Sequence, residues 1–148
     1  MRVERSTDIA ATPERVYDLV MDPRRLEEWV TIHDHLEDAP DGSLEGGSKL
    51  TQYLRLAGRR FKVRWTVVEN DPCRRVVWDG HGPVASHARV VYEFESNSGG
   101  TRFTYVNEYR LPGGPLGRLA GSAVSRVTAK ELDGSLARLK RILEEAQP

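Results

Sequence analysis

The chain has 148 residues, enough for one domain that buries about 70% of the surface its unfolded form exposes. Lysine plus arginine and aspartate plus glutamate number 22 each, so the formal net charge is zero. That balance argues against a nucleic-acid binder, which carries a basic excess, and against electrostatic attachment to an anionic membrane.

Residues 3–9, VERSTDI, alternate weakly and predict a strand. Two helix starts follow in IAATPERVYDLVMDPRRLEEWV. Thr12 can cap a helix with Pro13 at its first position, where the missing N–H costs nothing. Val16, Leu19 and Val20 then recur at helical spacing. Asp22 and Pro23 repeat the signal ahead of Leu26, Trp29 and Val30. Each predicted helix has about ten residues and is marginal in water alone, so both apolar faces need a partner surface. Residues 31–37 predict a short edge strand, and DGSLEGG a loop.

From Ser48 to Leu111 the pattern has period two. KLTQYLRL sets Leu50, Gln52, Leu54 and Leu56 on one face. RFKVRWTVV does the same for Phe61, Val63, Trp65 and Val67. RRVVWDGH carries Val76 with Trp78, ARVVYEFE carries Val90, Tyr92 and Phe94, and TRFTYVNEYRL carries Phe103, Tyr105, Asn107 and Tyr109. LAGRR, ENDPC, HGPVAS and SNSGG supply the turns. Five hairpin-linked strands predict an antiparallel sheet, dry on one face and wet on the other. Cys73 is the single cysteine and sits in the ENDPC turn, so no intrachain disulfide forms and the thiol reads as spare.

The last segment predicts a helix. Leu116, Leu119, Ala120, Ala123, Val124 and Val127 recur at its spacing, and Leu132, Leu136, Leu139 and Leu143 resume it. Such a stripe of about thirty residues spans about 45 Å and needs a long apolar surface, for which the dry face of the sheet is the candidate. Gly134 interrupts it and allows a bend. No apolar run approaches the ~20 residues of a membrane span, and the simplest location is the cytoplasm.

IAATPERVYDLVMDPRRLEEWV, VVENDPCRRVVW and YRLPGGPLGRLAG, in this order, resemble the START-like superfamily, in its bacterial polyketide cyclase/dehydrase and lipid-transport branch. The resemblance covers nearly the whole chain. It implies a single α+β helix-grip domain over residues 1–148: a curved antiparallel sheet of six or seven strands, two short N-terminal helices, and a long C-terminal helix over the sheet. It also implies a deep, largely apolar cavity between sheet and helix. Members of this superfamily bind lipids, sterols, plant hormones or polyketides, and a minority catalyse cyclisation or dehydration. The expected function is therefore binding or carriage of a hydrophobic small molecule. A polyketide aromatase/cyclase or dehydratase is the alternative, and a partner-protein role is a third. A monomer or weak dimer without cofactor or metal is expected.

Gln52 and Asn107 are amides on the predicted dry face, and each needs a partner, a water or a ligand. With Trp29, Trp65, Trp78, Tyr92, Tyr105 and Tyr109 they form the candidate ligand-binding set; plain core packing is the competing reading. No catalytic residue is assigned, although Tyr109 as proton donor and Asn107 as carbonyl-orienting amide are the pair to test. His33 and His35 would share a strand face but read as solvated. His81 and His87 are expected to face each other across a hairpin, as ordinary surface, a cavity rim or a metal pair. Asp79 is expected to face out, as are Glu93, Glu95 and Glu108 among arginines. LPGGPLGRLAG matches no phosphate-loop pattern and reads as a hinge, with Gly113, Gly114, Gly117 and Gly121 as a possible gate.

Overall fold

The computed structural model describes residues 1–42, 44–56, 58–110 and 114–145, with side chains in the last of these from residue 123 onward. Seven strands run β1 Arg2–Ile9, β2 His33–Glu37, β3 Lys49–Leu56, β4 Arg59–Asp71, β5 Arg75–His81, β6 His87–Asn97 and β7 Gly100–Arg110. They form one curled antiparallel sheet in the order β1-β7-β6-β5-β4-β3-β2. β3 to β7 succeed one another as hairpins, because each apolar run ends in turn chemistry. β1 returns beside β7, with Val3 opposite Asn107 and Ile9 opposite Thr101.

The predicted alternation places the core. Val63, Trp65, Val67, Val76, Trp78, Val90, Tyr92, Phe94, Phe103 and Tyr105 are all buried in the main apolar cluster. The opposite, convex face is less wet than expected. Val77, Val91 and Val106 lie abreast on neighbouring strands and are buried there as a small separate cluster. Cross-strand ion pairs flank them: Arg75 with Glu93 at 3.4 Å and Arg2 with Glu108 at 3.5 Å. Long charged side chains lay their apolar stems over such valines while keeping their heads in water.

Helix α1, Pro13–Val20, starts as its residues dictate: Thr12 Oγ1 accepts the Arg15 N–H at 3.3 Å, and Val16, Leu19 and Val20 are buried. The second helix is shorter than expected. A 3₁₀ turn at Pro23–Arg25, with Asp22 Oδ1 accepting the Arg24 N–H at 3.1 Å, leads into a single turn, α2, Leu26–Trp29. Val30 is already extended, which ends it. That one turn still buries Leu26 and Trp29.

Helix α3 spans Gly114–Glu145, 32 residues, or about 48 Å. It is helical through Gly134, whose role is proximity: a Cβ there would sit 3.3 Å from Thr31 Cγ2. Leu132, Leu136, Leu139 and Leu143 are buried, whereas residues 123–130 are half-buried or exposed. Among the described side chains the stripe is therefore seated from Leu132 to Leu143, and Leu116, Leu119 and Ala120 lie outside the described side chains. The same holds for the gate: Gly113 is outside the described residues, and Gly114, Gly117 and Gly121 fall within α3.

Candidate functional site

A cavity of about 100 Å³ lies between the concave face of the sheet and α3. Its floor is laid by Leu50, Gln52 and Leu54 of β3, Trp65 of β4, Trp78 of β5, Val90 and Tyr92 of β6, and Tyr105 and Asn107 of β7. Leu26, Val30 and Ile32 from α2 and the segment after it form one wall, and Thr128, Glu131, Leu132 and Ser135 of α3 form the roof. The volume is smaller than a deep lipid-sized hollow, because wide rings fill the concavity. Trp65 meets Trp78 edge-on at 6.4 Å, Trp78 meets Tyr92 at 6.3 Å, and Tyr92 meets Tyr105 at 5.3 Å.

Six of the eight residues singled out from sequence are brought together here: Gln52, Trp65, Trp78, Tyr92, Tyr105 and Asn107. Trp29 and Tyr109 are not in the lining. Trp29 is fully buried behind it, against Tyr92, Phe103 and Tyr105. Tyr109 lies two residues beyond Asn107, and its hydroxyl is hydrogen-bonded to Ser125 Oγ at 2.7 Å. The suggested Asn107–Tyr109 pair is thus divided between lining and helix contact.

One amide fixes a chain of three groups. The Trp65 Nε1–H, which can only donate, bonds Gln52 Oε1 at 3.0 Å. That orients the amide so that Gln52 Nε2 donates to His33 Nδ1 at 2.9 Å. His33 must accept at Nδ1 and therefore carries its proton on Nε2. Desolvation lowers the His33 pKa below its ordinary value, which suits the neutral ring. The expected shared face for His33 and His35 is corrected by a bulge in β2 between them. Two residues there oppose one on β3, so His33 turns inward, while His35 stacks on outward Tyr53 at 4.4 Å and bonds Asp34.

The lining also carries donors and acceptors besides this chain. The Trp78 indole N–H is buried with no partner among the described residues, at a cost of about 1–3 kcal/mol. Burial, and then neighbouring Tyr105, push the Tyr92 hydroxyl far above its ordinary range; burial pushes Tyr105 up to about 12. Both stay protonated at neutral pH. The Asn107 amide makes no side-chain hydrogen bond among the described residues. In the roof, the Thr31 hydroxyl is bonded to the Glu131 carboxylate, and Ser135 Oγ accepts the Thr31 N–H at 3.1 Å. The cavity offers an apolar slot with a few polar groups at its edge, suited to a neutral, largely apolar molecule with one polar oxygen.

Sequence reasoning read His33 as solvated and missed Gly80 and the polar residues of the roof. Gly80 is opposite Trp65, and a Cβ on it would lie 2.6 Å from the indole. Its signal was a lone glycine inside a strand pattern. Thr128, Glu131 and Ser135 were legible as polar neighbours of Leu132 on one helix face. Of the outward groups, Asp79 points away from the cavity as expected and joins His81 and His87 on the convex face. Burial raises the Cys73 thiol pKa, which makes it a weaker nucleophile, in keeping with a spare thiol.

A family model described as "Polyketide cyclase / dehydrase and lipid transport" matches residues 1–144. The uncharacterized protein Rv1546 of Mycobacterium tuberculosis is 30% identical over 132 residues, 88% of this chain and 92% of that protein. A protein of the same organism named toxin Rv0910 is 23% identical over 121 residues, 80% of this chain and 84% of its own. The crystal structure of TTHA0849 from Thermus thermophilus superposes with a TM-score of 0.76 at 22% identity, covering 100% of this chain and 99% of that one. No helix among the described residues is long and apolar enough to cross a membrane.

Proposed function

Because the chain belongs to the polyketide cyclase / dehydrase and lipid transport family, we propose that it binds and carries a small, largely apolar organic molecule between the sheet and α3. The observation that carries this reading is the cavity itself, with an aromatic floor and an Asn107 amide that makes no side-chain hydrogen bond among the described residues. An apolar body gains about 25 cal/mol per Å² on leaving water, and one polar oxygen can pair with the Asn107 amide. At about 100 Å³ the space suits a single ring or a short chain. A longer ligand requires the half-buried stretch 123–130 of α3 to lift.

Cyclohexanone, one apolar ring with one carbonyl, is a suitable probe. It should shift the Trp78 indole N–H resonance more than cyclohexane does, and Thr128→Trp, which fills the roof, should abolish the shift. Mass spectrometry of the purified protein should find a bound apolar compound. An indole resonance indifferent to both probes, with nothing co-purifying, would sink the proposal. Steady consumption of a polyketide-like compound would replace it with the cyclase or dehydratase alternative.

A further inference from the structure

The convex face, on the far side of the sheet from the cavity, carries a second cluster. Asp79 and His81 are two residues apart on β5, so they share that face. His87 pairs with His81 across the β5–β6 hairpin, their rings 5.0 Å apart. One carboxylate touches both imidazoles with different oxygens: Asp79 Oδ1 is 2.6 Å from His87 Nε2, and Oδ2 is 3.3 Å from His81 Nε2. One ligand atom from each of the three residues lies within 4.8 Å of the others.

Two imidazole nitrogens and a carboxylate oxygen converging on a point are the donor set of the late first-row divalent metals. The hairpin holds them together at a cost. In residues 82–86 the Gly82 N–H donates to Ser86 O at 3.0 Å and the Ser86 N–H to Pro83 O at 3.1 Å. That closure places Val84 and Ala85 at φ of 55° and 57°, both left-handed. Consecutive non-glycine residues there, one β-branched and 80% exposed, are strained. The β5–β6 register, which pairs His81 with His87, holds the loop in that conformation.

Arg64, Arg89 and Arg110 are the register partners of His81, Asp79 and His87. Their charge disfavours a cation held by Coulomb attraction alone, which argues against calcium and magnesium. It leaves room for a metal whose bonds to imidazole nitrogen supply the affinity. We propose that Asp79, His81 and His87 form a surface site for a late first-row divalent cation, of the zinc or copper(II) class, with a fourth position open to an exogenous ligand.

The test uses tag-free protein titrated with Zn²⁺ and followed by calorimetry and by imidazole NMR. One Zn²⁺ per chain should bind, moving the His81 and His87 resonances while leaving those of His33 and His35 in place. His81→Ala and His87→Ala should each lose the one-to-one uptake, His35→Ala should keep it, and Ca²⁺ should not compete. No one-to-one uptake, uptake that survives both histidine replacements, or shifts confined to His33 and His35 would overturn the site. The NMR arm uses the unaltered chain, so it stands even where a variant folds poorly.

Discussion

Gly80 carries no side chain and yet sets the cavity floor. A methyl group on it would press into the Trp65 ring at 2.6 Å, and forcing extra volume into a packed site costs about 1–3 kcal/mol. Gly80→Ala should therefore lower stability by that amount in denaturant unfolding and shift tryptophan fluorescence; an unchanged spectrum would contradict the assigned seat. The amide chain gives a pH prediction. Desolvation depresses the folded pKa of His33 below its ordinary 6.5. As pH falls through 6.5, the unfolded chain takes up this proton first, so stability drops; the loss is complete once pH passes below the folded value. Protonated Nδ1 would also meet the Gln52 amide donor head-on. Denaturation midpoints between neutral pH and about pH 5 should fall more steeply in the wild type than in His33→Asn. Equal slopes would show that His33 is not held neutral.

At the scale of elements, each short N-terminal helix carries only two or three buried side chains, and the described side chains of α3 are buried mainly from Leu132 to Leu143. Leu139 has no exposure and Leu132, Leu136 and Leu143 very little, whereas residues 123–130 have none fully buried. Amide hydrogen exchange should thus be slow across 132–143 and faster across 123–130, since local opening follows buried contact. Uniform protection would contradict a roof seated from Leu132 to Leu143. The contact beside the cavity is the Thr31–Ser135 bond. Ser135→Ala strands the Thr31 N–H and should cost about 1–2 kcal/mol, read as a lower denaturation midpoint. Sequence periodicity located all these helices but overestimated the second, because a proline cap and a following extended residue limit how many turns fit between α1 and β2. It also missed the β2 bulge, since nothing local distinguishes a bulged HDH from an alternating one.

For the whole molecule, the balance between filling and hollowing decides the function. Trp29, Phe94 and Phe103 close the concavity behind the floor, and what they leave is about 100 Å³. A ligand that binds only the folded state at 100 times its Kd adds about 2.7 kcal/mol. For a chain of this size that corresponds to a rise in Tm of roughly 5–10 °C. Cyclohexanone-class ligands should raise the wild-type Tm and leave that of Thr128→Trp unchanged; equal shifts would place binding outside the cavity. The proposed metal site lies on the far side of the sheet from the cavity, so Zn²⁺ uptake there should leave the rise in Tm given by cyclohexanone unchanged.

The residues alone determined the strand count to within one, the hairpin succession, the caps of the N-terminal helices and which face of β3 to β7 turns inward, because these depend on local periodicity and turn chemistry. The inward setting of Gln52, Trp65, Trp78, Tyr92, Tyr105 and Asn107 followed from the same alternation. Only the tertiary structure decided that Trp29 stands behind the lining and Tyr109 beside α3. It alone turned His33 inward, seated Trp65 over Gly80, and joined Asp79, His81 and His87 around one point. Each of those depends on sheet curl, a bulge or cross-strand register, which are distances between residues far apart in the chain, and no pattern along one segment encodes them.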